Sequence, residues 1–209
     1  MNVCLPPAAV TVRTLAQLTR LHEPDVHLVV LERPFDPALT RAAWSLPTDT
    51  RLVLRGRPDA LADALRGHLA AEQEPLATDV ARWSAVLADL LGAEALGLRL
   101  TATDRPTCPA FHVDRVDVRL ITTWAGAGTE FLAEADVDRR WLGYAGRGES
   151  LGETGLIRPG ARPRQLPPQA VGLFKGERWP GNEGRGVVHR SPPVPAGSRR
   201  VLLTLDVLA

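Results

Sequence analysis

From residue 105 to the C-terminus the chain carries no helical periodicity of useful length, so this half must bury its apolar side chains in strands. Short apolar runs recur there: Arg115 to Trp124, Thr129 to Ala133, Ala170 to Lys175, Val187 to His189 and Arg199 to Val207. Gly126 and Gly128 mark one turn, Gly176 to Gly186 (GERWPGNEGRG) forms a loop, and Ser191 to Ser198 joins the last two runs. Residues 143–169, rich in Gly, Pro and Arg, read as a long excursion with one strand-like patch at the end. Many short strands separated by turn signals predict a small barrel or sandwich.

Residues 1–104 alternate strands and helices instead. His27 to Glu32 and Arg51 to Arg55 read as strands. Between them Asp36-Pro37 is an N-cap followed by proline at the first helical position, opening a short helix through Trp44. Pro58 and Asp59 open a second helix, with Leu61, Leu65, His68 and Leu69 at helical spacing. The clearest helix spans Pro75 to Leu91, where Leu76, Val80, Trp83, Leu87, Leu90 and Leu91 step by three and four, and Gly92 ends it. Leu96 to Thr103 alternates as a half-buried strand does. The expected architecture is α+β: a mixed helix and strand region, 1–104, packed as part of one compact unit on a β-rich barrel, 105–209.

The chain has 209 residues, enough for one domain with a real core. Its basic residues are 24 Arg and a single Lys, beside abundant Ala, Leu, Gly and Pro, which is the usage of a GC-rich coding genome and no sign of nucleic-acid binding. No apolar run of about 18 residues exists, so no transmembrane helix is expected. Met1 to Pro7 lacks the pattern of a secretory signal, and the expected compartment is the cytoplasm. Cys4 and Cys108 are too few for a disulfide framework. No phosphate-cradling Gly-rich loop between strand and helix appears, nor a Ser nucleophile elbow.

Candidate chemistry begins at Phe111-His112-Val113-Asp114, ahead of the run ending at Trp124. In a strand, His112 and Asp114 share one face, together with Val116, Val118 and Leu120. A third ligand is available beyond Asp114, with 74 residues intervening, at His189. Two His and one carboxylate make the facial triad of non-haem Fe(II) oxygenases, with coordination positions left open. Arg199 and Arg200 follow His189 by ten and eleven positions, where guanidinium suits the far carboxylate of an oxo-acid co-substrate. Arg200 is favoured, because alternation groups it with Thr204, and Arg199 is the alternative. Trp179 and Asn182 form a candidate lid, with Lys175 and Trp124 as candidate pocket residues.

The segments CPAFHVD (108–114), TTWAGAGTEFL (122–132), KGERWPGNEGRGVVHRSPP (175–193) and RRVLLTLD (199–206) resemble a bacterial family catalogued as domain of unknown function 1826, across roughly residues 20 to 209. More distantly, the order His-x-Asp, His, Arg resembles the 2-oxoglutarate and Fe(II)-dependent dioxygenases. That resemblance implies a double-stranded β-helix, a cupin-like small barrel. It implies Fe(II) on His112, Asp114 and His189, and 2-oxoglutarate anchored by Arg200 or Arg199. Members of that class often add a Tyr or Asn near the co-substrate, and the single Tyr here, Tyr144, lies in the irregular excursion.

Two other readings stand beside this one. Cys108 as a fourth ligand would make a closed set suited to Zn(II), and a non-enzymatic protein of metal homeostasis. Alternatively, residues 158–200 hold nine basic residues against Glu177 and Glu183, an excess of seven, which fits a metal-free module binding nucleic acid or a phosphate-bearing ligand.

Overall fold

Val- and Leu-rich runs become strands where a neighbour buries them. The computed structural model describes residues 8–143 and 155–208. In chain order these form β1 (Ala8–Val12), β2 (Val26–Leu31), α1 (Pro37–Ser45), β3 (Arg51–Gly56), α2 (Leu61–Arg66), α3 (Glu74–Leu91), β4 (Ala95–Thr103), β5 (Val118–Ala125), β6 (Glu130–Phe131), β7 (Arg164–Gln165), β8 (Val171–Lys175), β9 (His189–Arg190) and β10 (Arg200–Leu208), with short 3-10 segments between. Tyr144 and Cys4 lie outside the described residues.

Seven strands make one sheet in the order β1-β2-β8-β5-β10-β4-β3. Only β1 and β2 run parallel, so the sheet is mixed and the fold is α+β. Strands β8, β5 and β10, from the second half of the chain, stand between β2 and β4 from the first half.

One face of this sheet is covered by the helices. Asp36 caps α1 through a 2.8 Å bond from the Ala38 amide, as its sequence predicts. Helix α3 turns Leu76, Val80, Trp83 and Leu87 inward, and Gly92, at φ 63°, ends it in the left-handed conformation that glycine takes most readily. These side chains meet Leu98, Leu100, Leu120, Trp124, Leu203 and Leu205 in the main core. Helix α2 is shorter than the spacing predicts, because the chain turns at His68 and Leu69 before α3.

The opposite face meets a three-stranded antiparallel sheet, β7-β6-β9. Ile121, Phe174 and Leu202 of the large sheet share an apolar cluster with Phe131 and Val187. The expected barrel is not closed: among the described residues no ladder joins the two sheets, and the strands of the small sheet have two residues each, too short to continue pairing.

The His-x-Asp segment departs from expectation in a way that matters for the site. It does not open β5. Residues 115–117 form a bend, held by bonds from the amides of Gly176 to Asp117 O, Glu177 to Asp114 O and Arg178 to Val116 O. A Cβ at Gly176 would stand 2.1 Å from Val116 O, so only glycine permits this approach. The bend breaks the alternation. Val118 and Leu120 therefore enter the helix-side core, while Arg119 and Ile121, expected on the other side, share a cavity with His112.

Candidate metal centre

His112 and His189 are paired by backbone as well as by chemistry. Each amide bonds the other's carbonyl at 3.0 Å, an isolated antiparallel bridge that extends the small sheet by one residue. The two imidazole centroids stand 4.5 Å apart. Asp114, two residues along, reaches back to both: its Oδ2 is 3.2 Å from His189 Nε2 and its Oδ1 is 3.7 Å from His112 Nε2. One ligand atom from each of the three residues lies within 4.8 Å of the others.

The hydrogen bonds decide which way the imidazoles face. His112 Nδ1 stands 3.0 Å from Ala110 O and His189 Nδ1 stands 2.9 Å from Val187 O. A carbonyl only accepts, so in each neutral ring Nδ1 carries the proton and Nε2 presents its lone pair toward Asp114. Metal-bound histidines are oriented in this way by their second nitrogen. Asp114 Oδ2 is buried and makes no aligned hydrogen bond, despite its 3.2 Å approach to His189. A cation shared by these atoms would satisfy that oxygen, so the donor set fits a metal ion.

Electrostatics favour the ligand forms. Burial raises the Asp114 carboxyl, but the neighbouring His189 and the Arg119 guanidinium outweigh it and hold Asp114 well below the usual carboxylate range. Burial pushes the His112 imidazole below its ordinary value and keeps it neutral. Arg119 is the agent sequence reading missed. Its Nη1 lies 2.8 Å from Asp114 Oδ1, while Nε and Nη2 take both oxygens of Asp206 at 2.6 and 2.7 Å. Strict alternation from His112 pointed Arg119 away, and only the bend at 115–117 turns it inward.

The triad opens into a cavity whose walls include Arg99, Arg119, Ile121, Leu202 and Thr204. Of the residues singled out in the sequence, His112, Asp114 and His189 come together, and Thr204 lines this cavity with its buried hydroxyl unbonded. Cys108 is exposed at the cavity wall, and its sulfur is not among the converging atoms. Arg200 is fully buried behind the wall. Its Nε donates to Ala127 O at 2.6 Å, its Nη2 to Thr129 Oγ1 at 3.3 Å, and its Nη1 has no partner among the described residues. Arg199 turns away to the carbonyls of Trp44 and Leu46.

The expected lid and pocket residues lie elsewhere. Trp179 packs against His22 and under the Lys175 ammonium, and Lys175 donates to Glu23 O at 3.0 Å. Asn182 is buried within its own loop, donating to Gly176 O at 2.8 Å. Trp124 sits in the helix-side core with its indole nitrogen 2.7 Å from Asp79. The basic run is also largely committed: Arg158, Lys175, Arg190, Arg199 and Arg200 all bond within the chain. Among the described residues no helix is long and apolar enough to cross a membrane.

Comparison of the sequence with family models matches residues 13–206 to one described as protein of unknown function, DUF1826. The chain belongs to the DUF1826 family. No curated protein sequence matches this DUF1826 chain. Solved structures do. The rice dioxygenase for auxin oxidation superposes with a TM-score of 0.59 at 16% identity, covering 98% of this chain and 83% of that one. The Arabidopsis thaliana dioxygenase for auxin oxidation 1, in a binary complex with 2-oxoglutarate, gives a TM-score of 0.60 at 10% identity, covering 98% and 93%. At such identities the likeness is one of fold, and this DUF1826 protein has the α+β fold of 2-oxoglutarate oxygenases.

Proposed function

We propose that this DUF1826 protein is a non-haem Fe(II), 2-oxoglutarate-dependent oxygenase, its two facing sheets an open form of the double-stranded β-helix. The observation that carries the reading is the triad of His112, Asp114 and His189, with both Nε2 atoms turned toward Asp114 and one Asp114 oxygen left unbonded. Two imidazoles and one carboxylate suit Fe(II) and leave positions open.

When bound, Fe(II) and 2-oxoglutarate supply the O2 activation and the electrons that oxygenation requires. The chain's own residues do the rest. Arg119 fixes the Asp114 carboxylate and balances its charge. Arg200 offers the unpaired Nη1 to the far carboxylate of 2-oxoglutarate, beside Thr129 on the cavity wall. Burial lowers its guanidinium to about 10, still charged at neutral pH. Ile121 and Leu202 line the cavity with apolar surface and thin out water near the reacting groups. A closed zinc site would need Cys108, whose sulfur stands outside the converging set.

Metal content of anaerobically purified protein, measured by mass spectrometry, tests the reading together with CO2 release from 2-oxoglutarate after iron loading. About one equivalent of iron and iron-dependent CO2 release are expected. Stoichiometric zinc that iron cannot replace, with no turnover of 2-oxoglutarate, would reject it.

A further inference from the structure

Among the described residues three arginines line the cavity, and two are committed. Arg119 is held by Asp114 and Asp206, and Arg190 by Glu130 at 2.6 Å. Arg99 has no hydrogen bond or ion pair among the described residues. It is half-buried on β4, directly across from Thr204 on β10, and that strand places Thr204 across from Ile121 on β5. Side chains opposite one another across paired strands share a face, so Arg99, Thr204 and Ile121 form one row across the cavity floor. Arg99 stands two strand spacings, about 10 Å, from the strand that carries Arg119.

Thr204 supplies the second, independent sign. Its hydroxyl is buried in the cavity wall and has no partner among the described residues. A buried hydroxyl left unbonded is costly, and a ligand oxygen beside a free guanidinium would satisfy both groups. The surroundings add charge of the same sign. Outward from Arg99 the row meets Val53 on β3, flanked on the same face by Arg51 and Arg55, both exposed and without a carboxylate partner among the described residues. The acid on the neighbouring row, Asp206, is ion-paired with Arg119, which it shares with Asp114.

We infer that Arg99 and Thr204 form an anion subsite for the primary substrate: a small molecule whose carboxylate or phosphate group is gripped there, with an apolar body over Ile121 and Leu202. A planar guanidinium accepts either anion through paired hydrogen bonds, and Arg51 and Arg55 draw it toward the cavity. This rests on the oxygenase reading, in which Arg200 takes the co-substrate.

The test is calorimetric binding of hexanoate, hexyl phosphate and hexanol to Mn(II)-loaded protein saturated with 2-oxoglutarate, at low salt. Wild type should bind at least one of the two anions and not hexanol, and the tighter anion tells carboxylate from phosphate. Arg99→Gln should weaken anion binding by about 10- to 100-fold and Thr204→Val by about three- to tenfold, while 2-oxoglutarate affinity stays within twofold or so. Arg99 is partly solvated, so its variant should fold normally, as thermal melting would verify. Equal anion binding by wild type and Arg99→Gln overturns the inference, as does wild type binding neither anion. Loss of 2-oxoglutarate binding in Arg99→Gln overturns it too, by making Arg99 the co-substrate's residue. If Mn(II) and 2-oxoglutarate fail to bind while the anion still depends on Arg99, the subsite stands and the oxygenase reading falls.

Discussion

Arg119 holds Asp114 by a 2.8 Å contact to its Oδ1, leaving Oδ2 free on the side of His189. The carboxylate is thereby fixed in position and charge before any metal arrives. Replacing Arg119 by Leu should weaken Mn(II) or Co(II) affinity by about 10- to 100-fold, the usual cost of losing a residue that orients a ligand. Arg119→Lys, which keeps charge without the fork to Asp206, should lose less. Titration calorimetry reads both, and unchanged affinity in the Leu variant would remove Arg119 from the centre.

Cys108→Ser should leave metal affinity and stoichiometry unchanged, because the sulfur is exposed and outside the converging atoms. A loss of tenfold or so, the scale of losing a ligand-supporting group, would show that the thiol joins the site.

Asp79 anchors the helix layer to the sheet. Its carboxylate takes the Arg33 guanidinium and the indole N–H groups of Trp83 and Trp124, and both charged side chains are nearly fully buried. Asp79→Ala strands a buried guanidinium and two indole donors, and should cost about 3–5 kcal/mol of stability. Urea unfolding measures it. A loss below about 1 kcal/mol, the scale of an exposed pair, would mean the network is not a support.

Stability should fall on the acid side of neutrality. Burial pushes the His27 imidazole below its ordinary value, with Arg185 and Lys175 adding to the effect against the bond to Arg185 O and the charge of Glu134. The unfolded chain takes up its proton near pH 6.5 and the folded chain only at lower pH. Stability contributed by neutral His27 is therefore present above about pH 6.5 and is lost as pH falls toward the folded value. His112 in the metal-free protein acts in the same direction. His27→Gln should flatten the decline, and an unchanged profile of melting temperature against pH would contradict this.

Much of this was legible beforehand, for physical reasons. Helix α3 and strand β4 announce themselves because each has a single buried face, so period and burial coincide. The triad was legible because few residue types bind metals and His-x-Asp is compact. Arg119 was not, since a bend of three residues breaks strand alternation and its cause, the backbone of residues 176–178, lies about sixty residues away in sequence. Trp179, Lys175 and Trp124 were placed by proximity in sequence to the site, yet each is consumed by packing or a backbone bond. Arg99 sits in an edge strand pair of the first half, and its nearness to His112 depends on β10 lying between β4 and β5.

The assignment of an iron centre to this triad is tested by an anaerobic Fe(II) titration in the presence of 2-oxoglutarate, followed by the visible charge-transfer absorption of an iron chelate of the oxo-acid. Saturation is expected at about one equivalent per chain, with no such absorption in a His112→Ala, His189→Ala double variant that still folds. Absence of the absorption in wild type, or its persistence in the double variant, would contradict the assignment of the centre to His112, Asp114 and His189.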